Sequence, residues 1–147
     1  MINKVHIIGM GLMGTNLGIK LVEKGLQVSG DDTSKSNLDR AKKYDAINLN
    51  HNLDTEYDLT VLAMPINEII SSLRDSKIEI NSKVLIDLGG TKEIICRHMD
   101  KVKFLPLVVI HYVELLITKL GTQLQKCTIK LLFYYVKQKV QQMKQRI

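Results

Sequence analysis

The sequence predicts an α/β fold, a doubly wound parallel sheet followed by a short helical C-terminal tail. Three observations predict it. Up to residue 104, short apolar runs alternate with stretches in helical spacing, and strands alternating with helices imply parallel pairing through right-handed crossovers. The first apolar run breaks into Gly9-Met-Gly11-Leu-Met-Gly14 and leads into a helical stretch. Charge divides the chain at the same point. Residues 1–104 carry fourteen Lys+Arg and fourteen Asp+Glu, whereas residues 105–147 carry seven basic side chains against the single acid Glu114. The whole net charge of +6 therefore lies in the tail. The expected units are a domain at 1–104 and a basic tail at 105–147.

The elements follow in order. Val5–Ile8 is a buried strand that stops at Gly9. Leu12–Lys24 places Leu17, Leu21 and Val22 near helical spacing, and Gly25 marks its end. Leu26–Gly30 is the next strand. Ser34 can cap a helix over Lys35–Tyr44. Ala46–Leu49 reads as a weak strand and Leu59–Ala63 as a strong one, closed by Met64-Pro65. Ile66–Asp75 is a helix and Val84–Asp87 a strand. Gly89-Gly90-Thr91 opens a helix over Lys92–Asp100, and Val102–Leu105 starts a further strand.

Composition narrows the function classes. The length of 147 residues, 45% hydrophobic and 24% charged, fits one globular domain with a sizeable core. No apolar run reaches the ~18–20 residues of a membrane span, and Met1-Ile-Asn-Lys leads into a strand rather than a signal peptide. Cys96 and Cys127 form no metal or redox spacing, so no metal site is expected and a cytoplasmic location fits. A basic tail can bind nucleic acid or an anionic membrane; neither partner is expected here.

Gly9-Met-Gly11-Leu-Met-Gly14 fits G-x-G-x-x-G in the required context, after a buried strand and before a helix. Gly9 permits the tight turn, Gly11 lets a pyrophosphate approach the backbone, and Gly14 lets helix and strand pack closely. The helix start, with Leu12 and Met13, offers free N–H groups to phosphates. Gly30-Asp31-Asp32 ends the second strand at the distance where a carboxylate accepts hydrogen bonds from the adenosine ribose. Asp32 is the first candidate and Asp31 the alternative. Either would repel a 2′-phosphate, and no arginine follows directly, so NAD is expected rather than NADP. Ala63-Met64-Pro65 ends the strand that faces the cofactor crevice in such folds; it either touches the cofactor or simply stops the strand.

At these residues the chain resembles a known family. Ile7–Gly14, Val61-Leu-Ala-Met-Pro65 and Leu85-Ile-Asp-Leu-Gly-Gly-Thr-Lys-Glu-Ile-Ile95 together look like the Rossmann-type NAD-binding domain of prephenate dehydrogenases, a pattern arogenate dehydrogenases share. The likeness covers residues 1 to about 104. It implies NAD-dependent oxidative decarboxylation in tyrosine biosynthesis, with Gly89 added to the cofactor-binding residues. The family often has a serine where this chain has Gly90, orienting a catalytic histidine; Thr91 is adjacent. It then has a strand, Gly-His-Pro, and a helical domain that closes the substrate pocket and makes the dimer. That histidine bonds the substrate hydroxyl. Here Val102-Lys-Phe104 is on pattern, but Leu105–Val113 contains no His-Pro, and His111 is the nearby histidine. No catalytic residue is assigned.

A shift of reading frame would explain why charge and motif break together. From Leu107 to Val136, the last base of each codon plus the first two of the next can be read continuously, opening on Gly-Gly-His-Pro. His111-Tyr112 then forces leucine after the proline, and Phe133-Tyr134-Tyr135 forces Leu-Leu. The expectation is one nucleotide lost near codons 104–106, giving a truncated enzyme without its substrate and dimer domain. In a genuine tail, Phe133, Val136, Val140, Met143 and Ile147 would line one face of a basic amphipathic helix. Two other functions stay open: a β-hydroxyacid dehydrogenase-like NAD enzyme, and a non-catalytic nucleotide-binding protein with a basic interaction tail.

Overall fold

A computed structural model describes residues 2–75 and 81–88. They form β1 (Lys4–Ile8), α1 (Leu12–Glu23), β2 (Gln27–Asp31), α2 (Lys35–Lys43), β3 (Leu59–Leu62), α3 (Ile66–Arg74) and β4 (Leu85–Asp87). All pairings are parallel, in the order β2-β1-β3-β4. The expected helix at 92–100, the strand at 102–105 and the tail at 105–147 lie outside the described residues.

Period-2 alternation sorts the strand residues onto two faces. Val5 and Ile7 of β1, Leu59 and Val61 of β3, and Ile86 of β4 pack with Leu21 of α1 and Ala41 of α2. Leu62 of β3 and Leu85 of β4 pack on the other face with Ile69 and Leu73 of α3. Helices on both faces make the sheet doubly wound and Rossmann-like. Ile7, Val61 and Ile86 are wholly buried, and each such side chain adds about 1.5–3 kcal/mol of transfer free energy.

The second face is polar where β1 meets β2. His6 pairs in register with Ser29, and its Nδ1 lies 2.7 Å from Ser29 Oγ. The His6 ring stacks on His51 and Tyr57, at centroid distances of 4.3 and 5.0 Å.

Local chemistry ends the helices. After α1, Gly25 takes φ +80, its N–H donates to Val22 O, and Leu26 N–H donates to Leu21 O, the paired bonds of a Schellman motif. After α2 the same pattern recurs around Asp45 at φ 54. At the N-terminus of α2, Ser34 Oγ accepts from Asn37 N–H at 3.4 Å.

One element departs from expectation. Residues 46–49 form no strand. The Asn48 side chain instead bonds the exposed edge of β2, accepting from Val28 N–H at 2.6 Å and donating to Leu26 O at 2.9 Å. Asn48 and Leu49 N–H both donate to Val28 O. A side chain replaces part of the ladder and blunts the edge.

Candidate functional site

The strand order places β2 and β3 on opposite sides of β1, so the direction in which successive strands are added across the sheet reverses between β1 and β3. In open parallel sheets, ligands bind beyond the carboxyl ends of the strands at such a switch point. Here that point holds the glycine turn after β1 and Ala63-Met64-Pro65 after β3.

The three glycines have separate geometric roles. Gly9 sits at φ +99, and a Cβ there would lie 2.7 Å from Ala63 O and 3.0 Å from Met64 Cγ. The turn thus closes directly over the end of β3, where Ala63 N–H donates to Ile8 O at 2.8 Å. A Cβ on Gly14 would overlap the Gly9 carbonyl oxygen, so α1 can lean on β1 only without one. Gly11 is different: its Cβ position meets nothing within 4 Å. Among the described residues, nothing occupies the space in front of that backbone.

Gly11 is the N-cap of α1 and supplies no side-chain cap. The first bond of the helix runs from Thr15 N–H to Gly11 O at 3.0 Å. The N–H groups of Gly11, Leu12 and Met13 have no protein acceptor among the described residues. The first turn also lacks acidic side chains, so its donors and partial positive charge stay available to an anion. Leu12 is 77% exposed and Met13 41%, two apolar side chains in the first turn of α1.

The acidic edge is built from β2 and the start of α2. Asp31 ends β2, and its carbonyl accepts from Gly9 N–H at 2.8 Å. Its carboxylate Oδ1 accepts from Asp32 N–H at 2.9 Å. Asp32 is half-buried and more tightly held. Its Oδ1 accepts from Ser34 N–H at 2.7 Å and its Oδ2 from the Asn37 side-chain amide at 3.2 Å. Arg40 Nη2 donates to Asn37 Oδ1 at 2.8 Å, which fixes the amide with its nitrogen toward Asp32.

The glycines, Leu12, Met13, Asp31, Asp32, Ala63, Met64 and Pro65 thus share the carboxyl edge of the sheet. Pro65 also serves as the N-cap of α3. Asp87 is fully buried at the same end of β4, in register with Leu62. Gly89, Gly90, Thr91 and His111 lie outside the described residues. Sequence reasoning missed Asn37 and Thr15. Asn37 stands three residues after the N-cap Ser34, the spacing at which a capping-box side chain reaches back, and that signal was readable. Among the described residues no cluster of His, Cys, Asp or Glu could hold a metal ion, and no helix is long and apolar enough to cross a membrane.

Comparison with known proteins gives one family. "Prephenate dehydrogenase, nucleotide-binding domain" matches residues 17–111. The match starts beyond the three glycines and runs past Phe104, so the glycine turn is an observation independent of it. No curated protein matches. Three solved structures share the fold. Arogenate dehydrogenase of Synechocystis is 21% identical over 65% of this chain and 36% of its own, with a TM-score of 0.56. The 3-hydroxyisobutyrate dehydrogenase of Mycobacterium tuberculosis is 14% identical over 76% and 40%, with a TM-score of 0.56. A pyrroline-5-carboxylate reductase from Coxiella burnetii is 22% identical over 69% and 41%, with a TM-score of 0.52. The chain therefore spans well under half the length of these structures.

Proposed function

Since the chain belongs to the family of the prephenate dehydrogenase nucleotide-binding domain, we propose that it binds NAD at the β1–β3 switch point. It is the cofactor half of an enzyme for oxidative decarboxylation of prephenate or arogenate. The observation that carries this reading is the contrast among the three glycines: Gly9 and Gly14 have no room for a Cβ, while Gly11 faces open space.

The residues present fit the cofactor. The N–H groups of Gly11, Leu12 and Met13 bind the diphosphate. Asp32 accepts from the adenosine ribose hydroxyls, with Asp31 as the alternative acceptor, and either carboxylate disfavours a 2′-phosphate. Ala63, Met64 and Pro65 line the crevice beyond β3, and the family resemblance adds Gly89, which lies outside the described residues. Bound NAD supplies the hydride acceptor; the chain's own residues bind and orient it.

Residues 105–147 do not carry the catalytic motif that the resemblance calls for. The family resemblance calls for Gly-His-Pro after a strand near 104, and residues 105–147 offer only His111, without a following proline. We read this segment as translated out of frame. A chain that binds nucleotide without turnover follows from that, and it is the second reading which the missing motif favours.

Incubating the full 147-residue chain with NAD and either prephenate or arogenate tests both levels. Saturable NAD binding with little or no NADH formation is the expected result. Failure to bind NAD would remove the cofactor reading, and normal turnover would remove the out-of-frame reading of the tail.

A further inference from the structure

Thr15 follows the third glycine and is buried, 6% exposed. Its hydroxyl donates to the Met10 carbonyl oxygen at 2.9 Å, while its own N–H donates to Gly11 O at 3.0 Å. A threonine inside a helix usually returns its hydroxyl to a carbonyl three or four residues back. Here it reaches five back, to a carbonyl outside the helix. Met10 is itself fully buried.

A peptide unit is planar and trans, so its C=O and N–H point in opposite directions. Tying Met10 C=O to Thr15 turns the Gly11 N–H the other way. That N–H has no acceptor among the described residues, and Gly11 borders open space.

We propose that Thr15 is a positioning residue: its hydroxyl locks the Met10–Gly11 peptide plane so that the Gly11 N–H is presented to the diphosphate of the cofactor. The inference rests on the NAD-binding reading above. It adds that diphosphate affinity depends on a buried hydroxyl that never touches the ligand.

The test uses the full chain, with Thr15→Val removing the hydroxyl at nearly constant shape and Thr15→Ser keeping it. NAD, ADP and adenosine binding are compared by equilibrium dialysis. Thr15→Val should weaken NAD and ADP by about tenfold, the scale of one hydrogen bond to a charged group. Adenosine, which lacks phosphate, should change less than about twofold, and Thr15→Ser should restore NAD and ADP. Equal weakening of ADP and adenosine would make Thr15 merely structural and overturn the proposal, as would unchanged ADP binding.

Should Thr15→Val fail to fold, amide NMR of the unmutated chain decides. The Gly11 N–H resonance should move with ADP and stay with adenosine; a Gly11 resonance indifferent to ADP overturns the proposal. If the unmutated chain binds no NAD at all, the cofactor reading itself fails, which the Thr15 variants cannot imitate.

Discussion

The backbone N–H of Gly9 donates to the carbonyl oxygen of Asp31 at 2.8 Å. This bond joins the glycine turn to the strand end that carries the two adjacent carboxylates. The N–H groups proposed to meet the diphosphate and the carboxylates proposed to meet the ribose, supplied by separate stretches of sequence, are thereby held at one spacing. Binding groups fixed before the ligand arrives lower the ordering cost of binding it.

The glycines should separate folding from binding. Gly9→Ala forces φ +99 on a residue with a Cβ and presses it against Ala63, so urea unfolding should show a loss of about 2–4 kcal/mol. Gly11→Ala meets nothing within 4 Å at a φ of −65; stability should fall by less than about 1 kcal/mol. Its NAD affinity should nonetheless fall at least about tenfold. Equal stability losses in the two variants would contradict this division.

Asp32→Ala should relax discrimination between NAD and NADP. It removes the acceptor for Ser34 N–H and for the Asn37 amide, which costs about 0.5–2 kcal/mol of stability at the start of α2. NAD binding should weaken about tenfold while NADP binding holds or improves. Asp31→Asn should leave the preference in place. A preference that follows Asp31 instead would transfer the ribose role to that residue.

His6 should make the domain acid-sensitive. Burial foremost, aided by the neighbouring His51 and opposed by Asp31, holds its imidazole down at about 4 from the usual 6.5. Between those values the unfolded chain binds a proton at His6 that the folded chain refuses. Stability is therefore full above about pH 6.5 and declines as pH falls toward 4, by at most about 3 kcal/mol from this group. Urea midpoints across that range should fall for the parent chain and flatten for His6→Gln. An equally steep fall in His6→Gln would place the sensitivity elsewhere.

The coding DNA should show the origin of the tail. Inserting one base near codons 104–106 is expected to restore Gly-His-Pro and a long open frame behind it. A nucleotide sequence across codons 100–147 in which no single-base insertion does so would make the tail a genuine element.

Where sequence alone sufficed, a local rule decided the outcome. β1 and β3 were legible because buried parallel strands read as unbroken apolar runs. Gly25 stopped α1 as expected, through its left-handed backbone. Ala46–Leu49 misled because Asn48 satisfies the β2 edge with its side chain, a contact twenty residues from Val28 that no periodicity reveals. The carboxylate pair could be located but not sorted. Asp31 and Asp32 are adjacent in sequence, and only the fold shows that Ser34 and Asn37 fasten Asp32. Thr15 stayed invisible because a threonine after a helix start ordinarily means little, and its partner Met10 lies across the turn.

Equilibrium binding of NAD and NADP to the intact 147-residue chain tests the central claim most directly. The account predicts saturable NAD binding, with NADP at least about tenfold weaker. Absence of NAD binding at millimolar concentration, or tighter binding of NADP, would contradict it.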